Sequence, residues 1–278
     1  MAIKLISDST CDLTPELLER YDITLAPLYV TQDGVTRRDG VDIHPQDIFD
    51  HVAAGGSLPS TSAVNIADYQ ELFSKYAQEY EAVIHFNIGQ GFSACHQNAV
   101  IAAEDFDNVY VVDTRNLTMG QGLLVVEAAE AARRGMAAQD IVEMVNGLID
   151  KVATTFVVDR LDYLAKGGRC SSVVALGANL LKLKPCIVLS DGKMAVGKKY
   201  RGVFDKVLLD YVRDQLGPGD YRRDRCVIVH AACKPETVAA VQAVVDEYGF
   251  DEVIVGEAGC TISSHCGPNT LGILFETE

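Results

Sequence analysis

The residues best able to do chemistry sit in short Gly-, Ser- and Thr-rich turns, each placed beside an apolar run. Ser7-Asp8-Ser9-Thr10 is the first, and its hydroxyls and carboxylate can cap a helix or touch a ligand. Pro59-Ser60-Thr61-Ser62 leads into a helical stretch, where hydroxyls and free backbone N–H groups suit either an anion or a plain cap. Gly89-Gln90-Gly91-Phe92-Ser93-Ala94-Cys95 lies between a strand pattern and a helix pattern. Asp113-Thr114-Arg115-Asn116-Leu117-Thr118-Met119-Gly120-Gln121-Gly122 follows another strand, and its glycines permit close approach of helix to sheet. Later in the chain, Lys166-Gly167-Gly168-Arg169 and His265-Cys266-Gly267-Pro268-Asn269 each bring a cationic or titratable side chain into a tight turn. Ligands of open α/β sheets bind at the carboxyl ends of strands, so these turns describe a polar knot at a junction.

Ser93 raises a catalytic alternative. Its turn nearly matches the nucleophile elbow G-x-S-x-G, but Cys95 stands where the last glycine belongs. An acyl hydrolase would place its acid and then its histidine later, an order that Asp113 and His265 satisfy. A nucleophilic serine also needs an adjacent base, and the only local one is His96, early in the following helix. G-x-G-x-x-G is incomplete and a P-loop is absent, so neither a dinucleotide nor ATP has a visible cradle. Cys260, His265 and Cys266 form the one Cys/His cluster, without the tighter spacing a zinc site wants. The eight cysteines contain no C-x-x-C pair and read as reduced, buried thiols. No metal is expected.

Short apolar runs alternate with amphipathic stretches, the pattern of βα units around a largely parallel sheet. Strands are expected at Ile3–Ser7, Thr24–Val30, Ala82–Phe86 and Val109–Val112. Helices are expected from Pro15, with Thr14 as cap, and at 65–80, 94–106, 119–134 and 138–152. A second cycle begins near Thr154: strand 154–158, helix 172–183, then a hairpin whose strands flank Asp191-Gly192-Lys193. Helices 204–216 and 235–248 and strands 226–230, 252–255 and 271–275 complete it. The expected fold class is α/β in two domains, 1–150 with a largely parallel sheet and 151–278 with a mixed sheet flanked by helices.

The formal charge of −15 disfavours nucleic acid and anionic membranes as partners. Lys182, Lys184, Lys193, Lys198, Lys199 and Arg201 form a local basic run, read as a solvated face. The N-terminus lacks an apolar core with a cleavage site, and no run of roughly 18 or more apolar residues occurs. These features point to a cytoplasmic protein without stable membrane association. The 48% hydrophobic content supports a sizeable core.

In order along the chain stand Ser7-Asp8-Ser9 with Asp12-Leu13, Pro59-x-Thr61-Ser62, Gly91-Phe92-Ser93, and Asp113-Thr114 with Met119-Gly120-x-Gly122. Tyr163-Leu164-x-Lys166-Gly167-Gly168-Arg169, Lys184-Pro185, and His265-x-Gly267-Pro268 with Leu271-Gly272 follow. In this order and spacing the chain resembles the DegV family over essentially its whole length. The resemblance implies a two-domain α/β protein holding one long-chain fatty acid between its domains. It implies a carboxylate held by Thr61 and Ser93, with Ser62 beside them and Arg169 and His265 near the head group. It further implies a non-catalytic carrier that presents the acid to a fatty acid kinase, with Arg201 in docking or phosphate handling and no cofactor beyond the bound acid. Ala94, Cys95 and Asn269 depart from the family pattern and bear on acyl preference. A serine-dependent hydrolase and a sensor for another amphipathic ligand stay open as alternatives.

A C16 tail buries about 15 methylene-like groups at roughly 0.8 kcal/mol each, about 12 kcal/mol of gross transfer energy. Association costs remove several kcal/mol of that. Phe92, Val173, Val174, Leu176, Leu180, Leu181 and Ile273 are the candidates to line such a tunnel.

Overall fold

The computed structural model describes residues 2–174 and 183–278. The first half builds a four-stranded sheet in the order β2-β1-β6-β7. It comprises β1 (Ile3–Asp8), β2 (Thr24–Ala26), β6 (Ala82–Asn87) and β7 (Val109–Asp113), all parallel. The continuous apolar runs of β1 and β6 suit strands covered on both faces. Helices α1 (Pro15–Tyr21), α3 (Ile66–Glu79), α4 (Cys95–Ala103), α5 (Met119–Arg133) and α6 (Ala138–Leu148) complete this layer. The Thr14 hydroxyl accepts the Leu17 N–H with Pro15 at the first helical position, and Asn65 caps α3 by accepting the Asp68 N–H.

The expected single strand over Thr24–Val30 is two strands. Pro27 has no N–H to donate and ends β2. β3 (Tyr29–Gln32) then turns away into a separate antiparallel sheet, β4-β3-β5, with β4 (Val35–Arg38) and β5 (Ser60–Ser62). Helix α2 (Pro45–Ala53) lies between β4 and β5 in sequence.

The second sheet runs β10-β9-β8-β13-β11-β12 and is antiparallel except for the β11–β12 pair. Its strands are β8 (Val152–Val158), β9 (Leu183–Ser190), β10 (Lys193–Arg201), β11 (Arg225–Ala231), β12 (Glu252–Glu257) and β13 (Thr270–Glu276). Helices α9 (Phe204–Leu216) and α10 (Pro235–Asp246) cover one face. Short helices α7 (Asp162–Gly167), α8 (Ser171–Val174) and α11 (Cys260–Cys266) lie between strands. The helix expected over 172–183 is described only at its start. Residues 175–182 lie outside the described residues, and Leu183 already opens β9.

The β9–β10 hairpin turns at Asp191-Gly192, where φ is +49° and +66°, the signs that a tight hairpin turn of type I′ requires. Its tip crosses to the first half. A Cβ at Gly91 would stand 2.5 Å from the Gly192 carbonyl oxygen, so only glycine allows this approach. Leu189 and Met194 of the hairpin pack with Leu28, Ile88 and Phe92.

Helix α5 is buried almost all round, as a helix apolar on every face must be. It packs against β1 and β6 of one sheet and β8 and β13 of the other. One apolar cluster therefore runs from Leu5, Ile84 and Val112 through Leu123 and Leu124 to Val229 and Leu274. At its edge Arg225, 11% exposed, meets Glu127 at 3.3 Å, Glu130 at 2.8 Å and Glu252 at 2.9 Å. Among the described residues, no helix is long and apolar enough to cross a membrane.

Candidate functional site

Between the first sheet's loops and the face of the second lies an apolar cavity of about 590 Å³, including its mouth. Leu28, Ile88, Phe92, Leu117, Phe156, Leu164, Met194 and Ile262 supply its apolar surface. Its polar groups are Thr61, Ser62, Ser93, Arg169, Thr261 and His265. Five residues expected at a head-group site therefore face one cavity, although β5, the β6–α4 turn, the α7–α8 turn and α11 carry them. Arg201 is not among the walls; it ends β10, exposed, and pairs with Leu183.

A second cavity of about 360 Å³ shares Leu117, Phe156, Ile262 and Cys266 with the first and continues it along β8, β11 and β13. Of the expected tail-lining residues, Phe92 is on the first cavity. Ile273 is not. Strand alternation turns it to the opposite face, into the core under α9 and α10, and gives Gly272 and Leu274 to the second cavity. Leu176, Leu180 and Leu181 lie outside the described residues, as do the side chains of Val173 and Val174.

Local sequence sets each polar group. Thr61 pairs with Val30 in the small sheet. The turn carrying Ser93 is tied down by Asp8, whose carboxylate accepts the Ile88 N–H at 2.9 Å, the Tyr69 hydroxyl at 2.6 Å and the Asn87 amide at 3.2 Å. Gly89 donates its N–H to the Asn116 carbonyl at 2.8 Å. A Cβ there would stand 3.0 Å from the Arg115 backbone, so the two glycine-rich turns are packed together. The Arg169 guanidinium donates to the Gly167 carbonyl at 2.7 Å.

His265 Nε2 lies 2.7 Å from Thr61 Oγ1. Burial, and then the nearby Arg169 charge, push its pKa down to about 4. The imidazole is therefore neutral at pH 7. Its Nδ1 is buried without a hydrogen-bond partner among the described residues. Gly167 lies against that edge, where a Cβ would come within 2.4 Å of Nδ1.

The nucleophile–base–acid arrangement is not assembled. Ser93 Oγ donates to Cys95 Sγ at 3.1 Å and accepts the Cys95 N–H at 3.3 Å. His265 is engaged with Thr61, and Asp113 accepts the N–H groups of Gln90 and Arg115 at 3.1 and 3.0 Å. His96 Nδ1 faces the Asn87 side-chain oxygen at 3.4 Å. Cys260 donates to the Ile43 carbonyl and Cys266 to the Gly267 carbonyl. Among the described residues, no group of three or more His, Cys, Asp or Glu is placed to hold a metal ion.

Sequence reasoning missed Leu28, Ala63, Ile88, Leu117, Phe156, Leu164, Met194, Thr261, Ile262 and Cys266 as walls. Ile88 and Leu117 carried a usable signal, being apolar residues inside polar turns.

Fold and cavity together define an α/β protein with an apolar interior chamber that carries a compact cluster of hydrogen-bonding groups. The family profile described as "Uncharacterised protein, DegV family" matches residues 2–278. A DegV domain-containing protein of Deinococcus radiodurans is 32% identical, with 99% of each chain covered. A solved DegV family protein of Thermus thermophilus, described as fatty-acid-binding, matches with a TM-score of 0.93 at 30% identity, covering 100% of both chains. A stearic-acid-binding protein of Eubacterium ventriosum matches with a TM-score of 0.82 at 27% identity, covering 99% of this chain and 98% of the other. The chain belongs to the DegV family.

Proposed function

We propose that this chain binds one long-chain fatty acid and presents its carboxylate to a fatty acid kinase. The observation that carries this reading is the apolar cavity whose polar groups include Thr61, Ser93, Arg169 and His265. A buried carboxylate without partners is prohibitively costly. The hydroxyls of Thr61, Ser62 and Ser93 can donate to it, while Arg169 supplies positive charge nearby. Such hydroxyls leave one carboxylate oxygen free to attack the terminal phosphate of ATP, giving acyl phosphate and ADP. The tail runs past Phe92 and Phe156, and its apolar burial supplies the affinity. The ligand lies at the junction of two domains, 1–150 and 151–278, and the protein works in the cytoplasm, where ATP and a kinase partner are found.

Native followed by denaturing mass spectrometry of the purified protein, with organic extraction, tests the binding. One stoichiometric fatty acid is expected; an empty protein that also ignores added palmitate would refute the reading. For the transfer step, Arg201→Ala in a reaction with ATP and a fatty acid kinase should keep palmitate affinity. It should lower acyl phosphate formation about tenfold through slower docking. An unchanged rate would remove Arg201 from the partner surface.

A further inference from the structure

Helix α11 has seven residues, and Thr261, Ile262, His265 and Cys266 form one wall of the first cavity. A helix this short gains little from its own hydrogen bonds, because nucleation is costly and its first N–H groups have no internal partners. Here those N–H groups are met by two buried carboxylates from the first half of the chain. Asp12 Oδ1 accepts the Gly259 N–H at 2.9 Å, and its Oδ2 accepts the Thr118 hydroxyl at 2.6 Å. Asp39 Oδ1 accepts the Cys260 N–H at 2.8 Å. Its Oδ2 accepts the Thr261 N–H at 3.1 Å and the Ser9 hydroxyl at 3.1 Å. Three consecutive amides are thus held by two side chains.

Asp39 also belongs to the scaffold that carries Thr61. It follows β4, and its N–H donates to the Leu28 carbonyl at 2.8 Å, just before β3. β3 pairs with β5, which places Thr61 opposite Val30. The same small unit therefore holds Thr61 through its strand pairing and His265 through the Asp39 grip on α11. Burial pushes the Asp12 pKa well above the ordinary carboxylate range, opposed by its Thr118 and Gly259 hydrogen bonds. The cost of burying the two side chains is offset by such bonds and by the positive end of a helix.

We propose, on the fatty-acid reading above, that Asp12 and Asp39 are positioning residues for the head-group site: by clamping the start of α11 they hold the His265 imidazole against the Thr61 hydroxyl. Neither carboxylate is a wall of the cavity. They act through the helix.

Two variants perturb the clamp. Asp39→Asn removes one acceptor oxygen and turns an NH₂ toward a backbone N–H. Gly259→Ala is milder: its backbone, at φ −64°, suits alanine, but the new Cβ would stand 2.9 Å from Asp12 Oδ1. Val241→Ala, a core trim in the separate apolar cluster under α9 and α10, is the stability control. The readouts are the His265 titration by histidine side-chain NMR, assigned with His265→Gln, and palmitate affinity by calorimetry.

In folded Asp39→Asn and Gly259→Ala, the His265 titration is expected to rise from about 4 toward the ordinary imidazole range as the ring leaves its buried seat near Arg169. Palmitate binding should weaken about tenfold, 1.4 kcal/mol. Val241→Ala should move neither. A His265 titration that stays put in the folded clamp variants overturns the assignment, and Gly259→Ala decides alone where Asp39→Asn does not fold. Wild-type protein that takes no palmitate refutes the fatty-acid reading, while the His265 titration still decides the clamp.

Discussion

The Thr61 hydroxyl and the His265 imidazole lie 2.7 Å apart although 204 positions separate them in sequence. The contact joins β5 to α11 and sets the proton arrangement of the site. His265 is neutral at pH 7, with Nδ1 buried and without a hydrogen-bond partner among the described residues. An orphaned acceptor is tolerated more readily than an orphaned N–H, which favours the tautomer protonated at Nε2. Nε2–H then donates to Thr61 Oγ1, and the threonine's own O–H is free to donate to an incoming carboxylate.

Thr61→Val keeps the shape of the side chain and removes that donor. Losing a hydrogen bond to a charged group costs about 1.5–3 kcal/mol, or about 10- to 150-fold in Kd. Palmitate calorimetry checks this, with Thr61→Ser expected to retain most of the affinity. Equal affinity in wild type and Thr61→Val would remove Thr61 from the head-group site.

The depressed pKa of His265 makes stability depend on pH. In the unfolded chain the imidazole takes a proton near its ordinary value of about 6.5. In the folded protein it resists protonation down to about 4. Between those values the unfolded state binds more protons, so this contribution is complete above pH 6.5 and is lost as pH falls toward 4. The full amount is on the order of 3 kcal/mol. His265→Gln should reduce the slope in this window, to which His230, its pKa lowered by burial, adds, and which Asp12 and Glu276, their pKa values raised by burial, oppose. Urea denaturation at several pH values would measure it; parallel pH profiles for the two proteins would mean that His265 stays hydrated.

Gly91→Ala places a methyl group 2.5 Å from the Gly192 carbonyl oxygen, and backbone on both sides leaves little room to yield. Overpacking of this kind costs about 1–3 kcal/mol. Since the hairpin also carries Met194 onto the cavity, palmitate should dissociate faster as the melting temperature falls. A melt and an off-rate matching wild type would show that the hairpin tip does not seat on this loop.

Arg225→Ala leaves Glu127, itself 12% exposed, together with Glu130 and Glu252, without their shared cation. Removing the cation from this partly exposed cluster costs about 2 kcal/mol, between an exposed pair and a fully buried one. Wild-type stability should respond to added salt less than an exposed pair would, because the partly buried cluster is only partly screened. Denaturant titration with and without salt tests both statements. A loss under about 1 kcal/mol would class the cluster with surface pairs.

Much of the frame is legible in residue order. β1, β6 and β7 announce themselves as apolar runs, Thr14-Pro15 as a helix start, and Asp191-Gly192 as a tight hairpin. Local conformation suffices in these cases, because burial on both faces, a cap or a positive φ selects the residue type. Pro27, read through in the apolar stretch, ended a strand and freed the small sheet that carries Thr61.

Helix α11 was invisible to such reading. Cysteine, threonine and serine are weak helix formers, and the seven-residue run Cys260–Cys266 carries no helical signature of its own. Its N-terminal amides are met by Asp12 and Asp39, which arrive from the other end of the chain.

By itself, the sequence determined the α/β class, the polar turns and the DegV resemblance, because these depend on periodicity, turn chemistry and the order of motifs. Only the tertiary structure decided which turns share a cavity, that Ile273 faces away from it while Gly272 faces in, and that His265 meets Thr61 and not Ser93. Those outcomes depend on strand register, sheet-to-sheet packing and buried hydrogen bonds between distant residues, none of which a local pattern encodes.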